Sequence, residues 1–517
     1  MAIDNPPSDD SADDNSNPNP KDASLPQGGA GSSQPEDEDS RAKREEESFA
    51  DILKEFISLM RGGKYGGVHY HFTGSHIYGS AFGDGAKVSN SGNPPKNYDP
   101  ESAKHTGTAQ VDWLEWFKYK KIQEQVFAVT LVLFSGNSPK FVENSSFDFL
   151  KFMGVSIKPP EITASIFDKG ISINGFLQDG FAEIVKSSIG TEAGKLPYDA
   201  IVVKDQSALL LIQDKVAKDY DLVSFRSHLK RWLSVMAKYD DNKFRLLGSS
   251  SPDLTRIQAA ISLGVLARTD FDDVLSSVIR PWAGSESLNE RLMVGWVLLG
   301  YFEETNQTEY WSKASALLKH WSTLDNYYLR WTAIASTTRL GLIVSPKDDS
   351  SLELSMSIFK QICRSGRPRL HWGVMLKSLR FLFGFSLYHA KVISVELSSW
   401  IKEDNVALQG VASRLFVEML NMPVSDDESD VTIWDMCEQE SYVVSDAVYV
   451  LLRQALMNQS GSFVDYAIGQ MSKSVQAFLE DNLHACNSLK QIIAQLRSDK
   501  QTVRYVPLIL GDYQKRI

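Results

Sequence analysis

The chain has 517 residues, 43% of them hydrophobic and 10% aromatic, enough for two to four domains with packed cores. Its net charge of −11 is uneven: residues 1–47 hold thirteen acidic and four basic side chains, a net of −9, which leaves about −2 for the rest. Three distant cysteines carry no C-x-x-C spacing that would suggest zinc or redox work and fit reduced thiols, and the longest apolar run, Val126–Phe134, is half the length a membrane-spanning helix needs.

No basic leader followed by an apolar stretch opens the chain, so a cytoplasmic setting with reduced thiols and no membrane insertion is expected. Residues 1–47 contain almost nothing apolar to offset ordering entropy and read as a disordered acidic tail. Ser48 then caps an amphipathic helix with Phe49, Ile52, Leu53, Phe56, Ile57 and Met60 at three-and-four spacing, stopped by Gly62-Gly63. Isolated helices of this length are marginal, so this one is expected to dock on the body or on a partner, with Phe49, Ile52 and Phe56 as candidate contacts.

Residues 66–88 alternate aromatic and β-branched residues with glycine and predict small strands joined by tight turns. On a strand His69 and His71 share a face, and with His76 they make an H-x-H-x4-H cluster of the kind a metal uses, although Asp84 is the one carboxylate nearby. The favoured reading is a partner-docking β-segment presenting Tyr70 and Phe72. A linker rich in proline completes the unit 48–105.

From 106 to 245 the pattern is mixed. The run Val126–Phe134 predicts a strand buried on both faces, followed by a helix over 140–153, an α/β-like step. A helix over 176–188 carrying Phe181, Ile184 and Val185, strands at 201–203 and 208–212, and a helix from Ser224 to Met236 suggest a winged-helix-like module over 172–240. Arg226, His228, Lys230 and Arg231 lie on the last helix, yet Asp205, Asp214, Asp219 and Asp221 interleave with the neighbouring lysines and cancel much of the field a nucleic acid would require.

Beyond 250 the sequence repeats. Arg256, Arg291 and Arg330 stand 35 and 39 residues apart, each ahead of small and apolar residues at helical spacing, with weaker echoes at Arg369, Gln409 and Asp446. A period near 40 predicts stacked helical hairpins over 250–500, with helices at 253–267, 270–281, 286–302, 308–322, 325–342, 351–364, 370–388, 391–403, 405–421, 440–458 and 462–497. Pro423–Asp430 reads as a polar surface loop and 501–517 as a carboxy-terminal tail. Trp282, Trp296, Trp311, Trp321, Trp331 and Trp372 are expected between helices, while Tyr327 and Tyr328, at a helix start, are candidates for a binding face.

No catalytic motif is present. The nearest approach to a phosphate loop, Gly190–Leu196, has the wrong spacing and a leucine after its lysine, and there is no G-x-S-x-G or H-E-x-x-H. His484-Ala485-Cys486 reads as filler in a helix. No catalytic residue and no cofactor is therefore assigned.

The order of parts, namely a glycine-rich leader, the Val126–Met153 unit, a winged-helix-like unit ending at Arg231-Trp232-Leu233 and repeats of the Leu329-Arg330-Trp331-Thr332-Ala333 type, resembles actinobacterial proteins that look like inactive relatives of STAND NTPases. That resemblance, over residues 60–500, implies a degenerate P-loop-like region, HEAT-like repeats and a signalling or conflict-related scaffold. The expected fold is mainly α, an α-solenoid preceded by a small α/β or winged-helix-like region and a disordered acidic tail. The expected role is a non-enzymatic scaffold or regulatory protein that binds protein partners through its helical surface and amino-terminal segment. A degenerate nucleotide-binding switch and a winged-helix DNA-binding regulator are the alternatives.

Overall fold

The computed structural model describes residues 116–117, 119–155, 173–191, 194–204, 223–239, 241–247, 249, 252–302, 308–341, 350–364, 368–425, 430–439, 442–458, 460–481 and 486–515. The acidic segment, the 48–60 helix, the glycine- and histidine-rich stretch and the 208–212 strand expected from the sequence lie outside these residues. Among the described residues the protein is mainly helical, with one sizeable β-hairpin and a second, two-residue strand pair.

The Val126–Phe134 run is not a strand; it forms the body of α1 (Ile122–Leu133). An unbroken apolar stretch has no period to read, and a helix buried all round satisfies it as well as a central strand does. Local chemistry decides: Lys121 N–H donates to Glu124 Oε2 at 3.0 Å, closing the first turn, and the Thr130 hydroxyl donates to Val126 O at 2.8 Å. Helix α2 (Pro139–Phe152) follows, with Ser138 Oγ accepting from Phe141 N and proline at the first helical position. The expected α/β step is thus an α-α corner.

A short α3 (Ile173–Gln178) leads into a hairpin of β1 (Ala182–Thr191) and β2 (Gly194–Val203), antiparallel with Ala182 opposite Val203. The helix expected over 176–188 is therefore mostly strand; Phe181, Ile184 and Val185 fit either period, and the β-branched pair goes to the sheet. The α1–α2 loop covers part of the outer edge of β2. Gly136 N donates to Ile201 O and Ile201 N to Asn137 O, both at 2.9 Å, and Gly136 has φ of 91°, which suits glycine. Asn137 also donates to Gln258 Oε1 at 2.9 Å, tying this corner to the helices beyond 252.

Helices α4 (Val223–Met236) and α5 (Asp241–Leu247) complete the amino-terminal block around Trp232, which stacks on Phe149 and donates its indole N–H to Asp148 at 2.7 Å. From 252 on come α6 (Pro252–Ala267), α7 (Phe271–Val274), a π-turn at Leu275–Ile279, α8 (Arg280–Ala283), α9 (Leu288–Phe302), α10 (Thr308–Thr323), α11 (Tyr327–Gly341), α12 (Ser350–Arg364), α13 (Trp372–Phe385), α14 (Leu387–Ile401) and α15 (Val406–Met419). Then follow β3 (Val424–Ser425), β4 (Asp430–Val431), α16 (Ile433–Gln439), α17 (Tyr442–Leu456), α18 (Gly461–Asp481), α19 (Asn487–Ser498) and α20 (Val506–Leu510).

The sequence anticipated most of these. It differs where polar signals are short. The 370–388 helix stops at Phe385 because Ser386 caps α14. The single helix expected over 462–497 is two, α18 and α19, and α16 was not anticipated. In the stretch read as a polar loop, Val424 and Val431 are paired and buried. The stretch read as a tail holds α20, with Val506, Ile509 and Leu510 buried.

Helix α6 packs mainly on α9, α9 on α11, α10 on α11 and α12, and α11 on α12 and α13. Helices α9 and α11 lie at the centre; Arg291 to Tyr301 and Arg330 to Gly341 are buried without a break. Between α6 and α9 the backbones touch. A methyl at Gly264 would overlap the Val297 carbonyl oxygen and stand 2.6 Å from Tyr301 N, and one at Gly300 would overlap the Ile261 carbonyl oxygen. Arg268 fastens the same crossing by donating to Gly300 O at 2.6 Å. One contiguous apolar core extends from Phe117 to Leu510.

Candidate binding surface

The arginines that set the sequence period occupy one place in their helices. Arg256, Arg291 and Arg330 all fall within the first five residues of α6, α9 and α11. Arg256 pairs with Asp253 one turn back, and Arg330 lies 3.7 Å from Asp325. Arg291, fully buried, donates to Ser285 O at 2.7 Å and Glu286 O at 3.0 Å, closing the turn that precedes its own helix. Its guanidinium stands 5.0 Å from the Tyr328 ring and 4.9 Å from Trp331, both on α11. The favour is returned by Arg339 of α11, 5.1 Å from Trp296 of α9. Burial pushes the Arg339 guanidinium below the usual arginine range, and its donation to Ala335 O at 3.0 Å and its seat on the indole face keep it solvated by protein.

From this interior pair the aromatic chain continues outward. Tyr328 meets Tyr327 edge-on at 5.4 Å, and Tyr327 stacks on His371 at 5.1 Å, with His371 Nε2–H donating to Tyr327 O at 3.2 Å. The next residue, Trp372, opens α13 and is half-buried; over it, at 5.1 Å, lies the exposed guanidinium of Arg414 from α15. Arg414 is also 6.0 Å from Phe463 at the start of α18, and Phe463 is 6.4 Å from Tyr466, which is 40% exposed.

Beside Tyr466 sits a polar group. Arg380 of α13 donates to Glu418 O at 3.1 Å and lies 3.5 Å from the Glu418 carboxylate on α15. Desolvation, and then the charge and hydrogen bond of Glu418, push the Tyr466 phenol up, with Arg380 and Arg414 working against them. Asn421 and Gln470 close the α15–α18 side with a 2.7 Å hydrogen bond. Three helices thus present two guanidiniums, one carboxylate and three aromatic rings on one partly open face. Rigid aromatic rings and arginine are the groups that anchor protein interfaces.

Of the residues singled out from sequence, Tyr327 and Tyr328 lie in this chain of rings, both half-buried. Phe49, Ile52, Phe56, Tyr70 and Phe72, and the histidines His69, His71 and His76, lie outside the described residues. Among the tryptophans expected between helices, Trp282, Trp296, Trp321 and Trp331 are buried, whereas Trp311 and Trp372 are half-exposed. Sequence reasoning missed Arg380, Arg414, Phe463 and Tyr466. Arg414 lies 42 residues from Trp372 and 49 from Phe463, so no local pattern links them; the one available signal was an arginine in an otherwise small and apolar helix face, Val411 to Val417.

Among the described residues no group of three His, Cys, Asp or Glu side chains is arranged to hold a metal ion, and no helix is long and apolar enough to cross a membrane. Compared with known proteins, the chain matches no family model and no curated sequence.

Proposed function

We propose that this protein is a non-enzymatic scaffold or regulatory binding protein whose helical surface receives a protein partner at the Trp372–Arg414–Phe463–Tyr466 face. From α6 onward the main helix–helix contacts join helices no more than three apart in helix number, which supports reading the region as an α-solenoid of HEAT-like hairpins. In such arrays side chains from successive repeats form one extended recognition surface. The observation that carries the reading is the exposed Arg414 guanidinium over two rings from different helices. An arginine already placed against two rings loses little freedom when a partner arrives. A signalling or conflict-related setting is what the STAND-like resemblance adds.

The test is a comparison of full-length wild type with Arg414→Glu and Trp372→Ala as baits in the native host, with bound proteins quantified. A stoichiometric partner held by wild type, weakened at least tenfold by each variant and rebinding purified wild type directly, is expected. An unchanged set of bound proteins would remove this face from recognition. Binding of ATP or ADP in equilibrium dialysis, or salt-dependent binding of duplex DNA, would favour the nucleotide-switch or regulator alternative instead.

A further inference from the structure

We infer that the acidic amino-terminal segment of this same chain, centred on Glu36-Asp37-Glu38-Asp39, docks on the arginine–aromatic face and competes there with the partner. This rests on the preceding assignment of that face as a binding surface and adds its regulation.

The charges are complementary. Among the described residues Arg414 forms no ion pair, and Arg380 shares its one carboxylate, Glu418, across 3.5 Å. Asp465, exposed one residue before Tyr466, pairs with neither arginine. The face therefore offers two guanidiniums against one paired carboxylate. On the other side, residues 1–39 carry ten acidic side chains and one lysine, a net of −9, four of the acids being consecutive. With −9 of the total −11 accounted for, residues 40–517 hold only −2, so the body as a whole repels the segment only weakly.

Reach is not limiting. Residues 40–115 precede the first described helix, and that many residues span at most roughly 250 Å when extended. A 400-residue body has a radius of gyration of about 21 Å. Tethering makes weak contacts count. An exposed charge pair contributes little by itself, but attachment to the same chain supplies an effective concentration approaching millimolar when the connecting length suits the span. A segment with millimolar intrinsic affinity then occupies the face a substantial part of the time, and a partner must displace it.

The experiment uses the full-length chain. The three native cysteines are buried, so Ser40→Cys provides one accessible thiol for an oxazine dye, whose fluorescence is quenched by van der Waals contact with tryptophan. At about 20 mM salt the dye is expected to be quenched at least twofold relative to the unfolded chain. Trp372→Phe and Arg414→Glu should each relieve that quenching, as should salt at about 300 mM. Replacing Glu36, Asp37, Glu38 and Asp39 by lysine should relieve it in wild type and restore it with Arg414→Glu. Absence of quenching at low salt, or quenching untouched by Trp372→Phe or by Arg414→Glu, overturns the inference. If Arg414→Glu abolishes partner binding while the dye never reports contact, the face binds a partner and the segment is not its occupant. If partner binding and quenching are both indifferent to Arg414, the two readings fall together.

Discussion

Gly264→Ala and Gly410→Ala apply the same methyl group to two helices and are expected to act in opposite directions. At Gly264 the new carbon overlaps the Val297 carbonyl and stands 2.6 Å from Tyr301 N and 2.8 Å from Gly300 C. All three obstacles are backbone, so no rotamer change relieves them; α6 and α9 must separate by about 1 Å, loosening the most extensive helix pair among the described residues. Overpacking of this kind costs about 1–3 kcal/mol and here belongs at the upper end, against about 1 kcal/mol gained because alanine favours helix over glycine. A net loss of about 2 kcal/mol is the outcome. Gly410, in α15, has nothing within 4 Å of an added carbon; there the helix gain stands alone, up to about 1 kcal/mol of stabilisation. Urea unfolding followed by tryptophan fluorescence and by circular dichroism reads both. If Gly264→Ala unfolds at the same or higher urea than wild type, the backbone contact between α6 and α9 is not what holds that crossing.

Arg291→Lys is expected to destabilise nearly as much as Arg291→Met, by about 2–4 kcal/mol, since a lysine cannot serve the carbonyls of Ser285 and Glu286 while lying flat against Tyr328 and Trp331; equal stability of wild type and the lysine variant in urea would contradict this. His389 is buried, with Nε2–H donating to Gly341 O at 2.9 Å and Nδ1 accepting from the Ser386 hydroxyl at 2.7 Å, and burial lowers its pKa below the ordinary 6.5. The unfolded chain therefore binds the proton first, and stability present above pH 6.5 is lost as pH falls through the lowered folded value; Asn at 389 should flatten that part of the stability profile measured from pH 7 to 5. Burial pushes the thiols of Cys363 and Cys437 up to about 12, so the native protein should leave both unreacted with a thiol reagent at pH 8 that modifies them in urea.

The mainly helical character of the described residues beyond 252 was legible because its signal is redundant. A period shorter than 40 residues marked by Arg256 and Arg291, and apolar spacing in nearly every segment, point the same way, and the structure puts those arginines in matching turns. Legibility failed where a single side chain decides. Ser386 sets the break between α13 and α14 ahead of where the apolar spacing puts it, and Glu124 closes the first turn of a helix whose apolar run a strand would have suited equally. In the candidate face the difficulty is of another kind. Trp372, Arg414 and Phe463 come from three helices, and each alone looks like ordinary surface or core; only the stacking of α13, α15 and α18 makes them neighbours.

Asn137 has a consequence for how the molecule comes apart. Its backbone carbonyl receives the amide of Ile201, and its side chain reaches Gln258, so one residue joins the hairpin, the α1–α2 corner and the first helix of the array. A break in the chain between the hairpin and α6 would leave these three still clasped, and shearing them apart would strip the covered edge of β2. Among the described residues, the amino-terminal block and the helices from α6 on are thus joined through space as well as through the chain, and a nick in that connection is expected to leave a complex of fragments rather than two independent pieces.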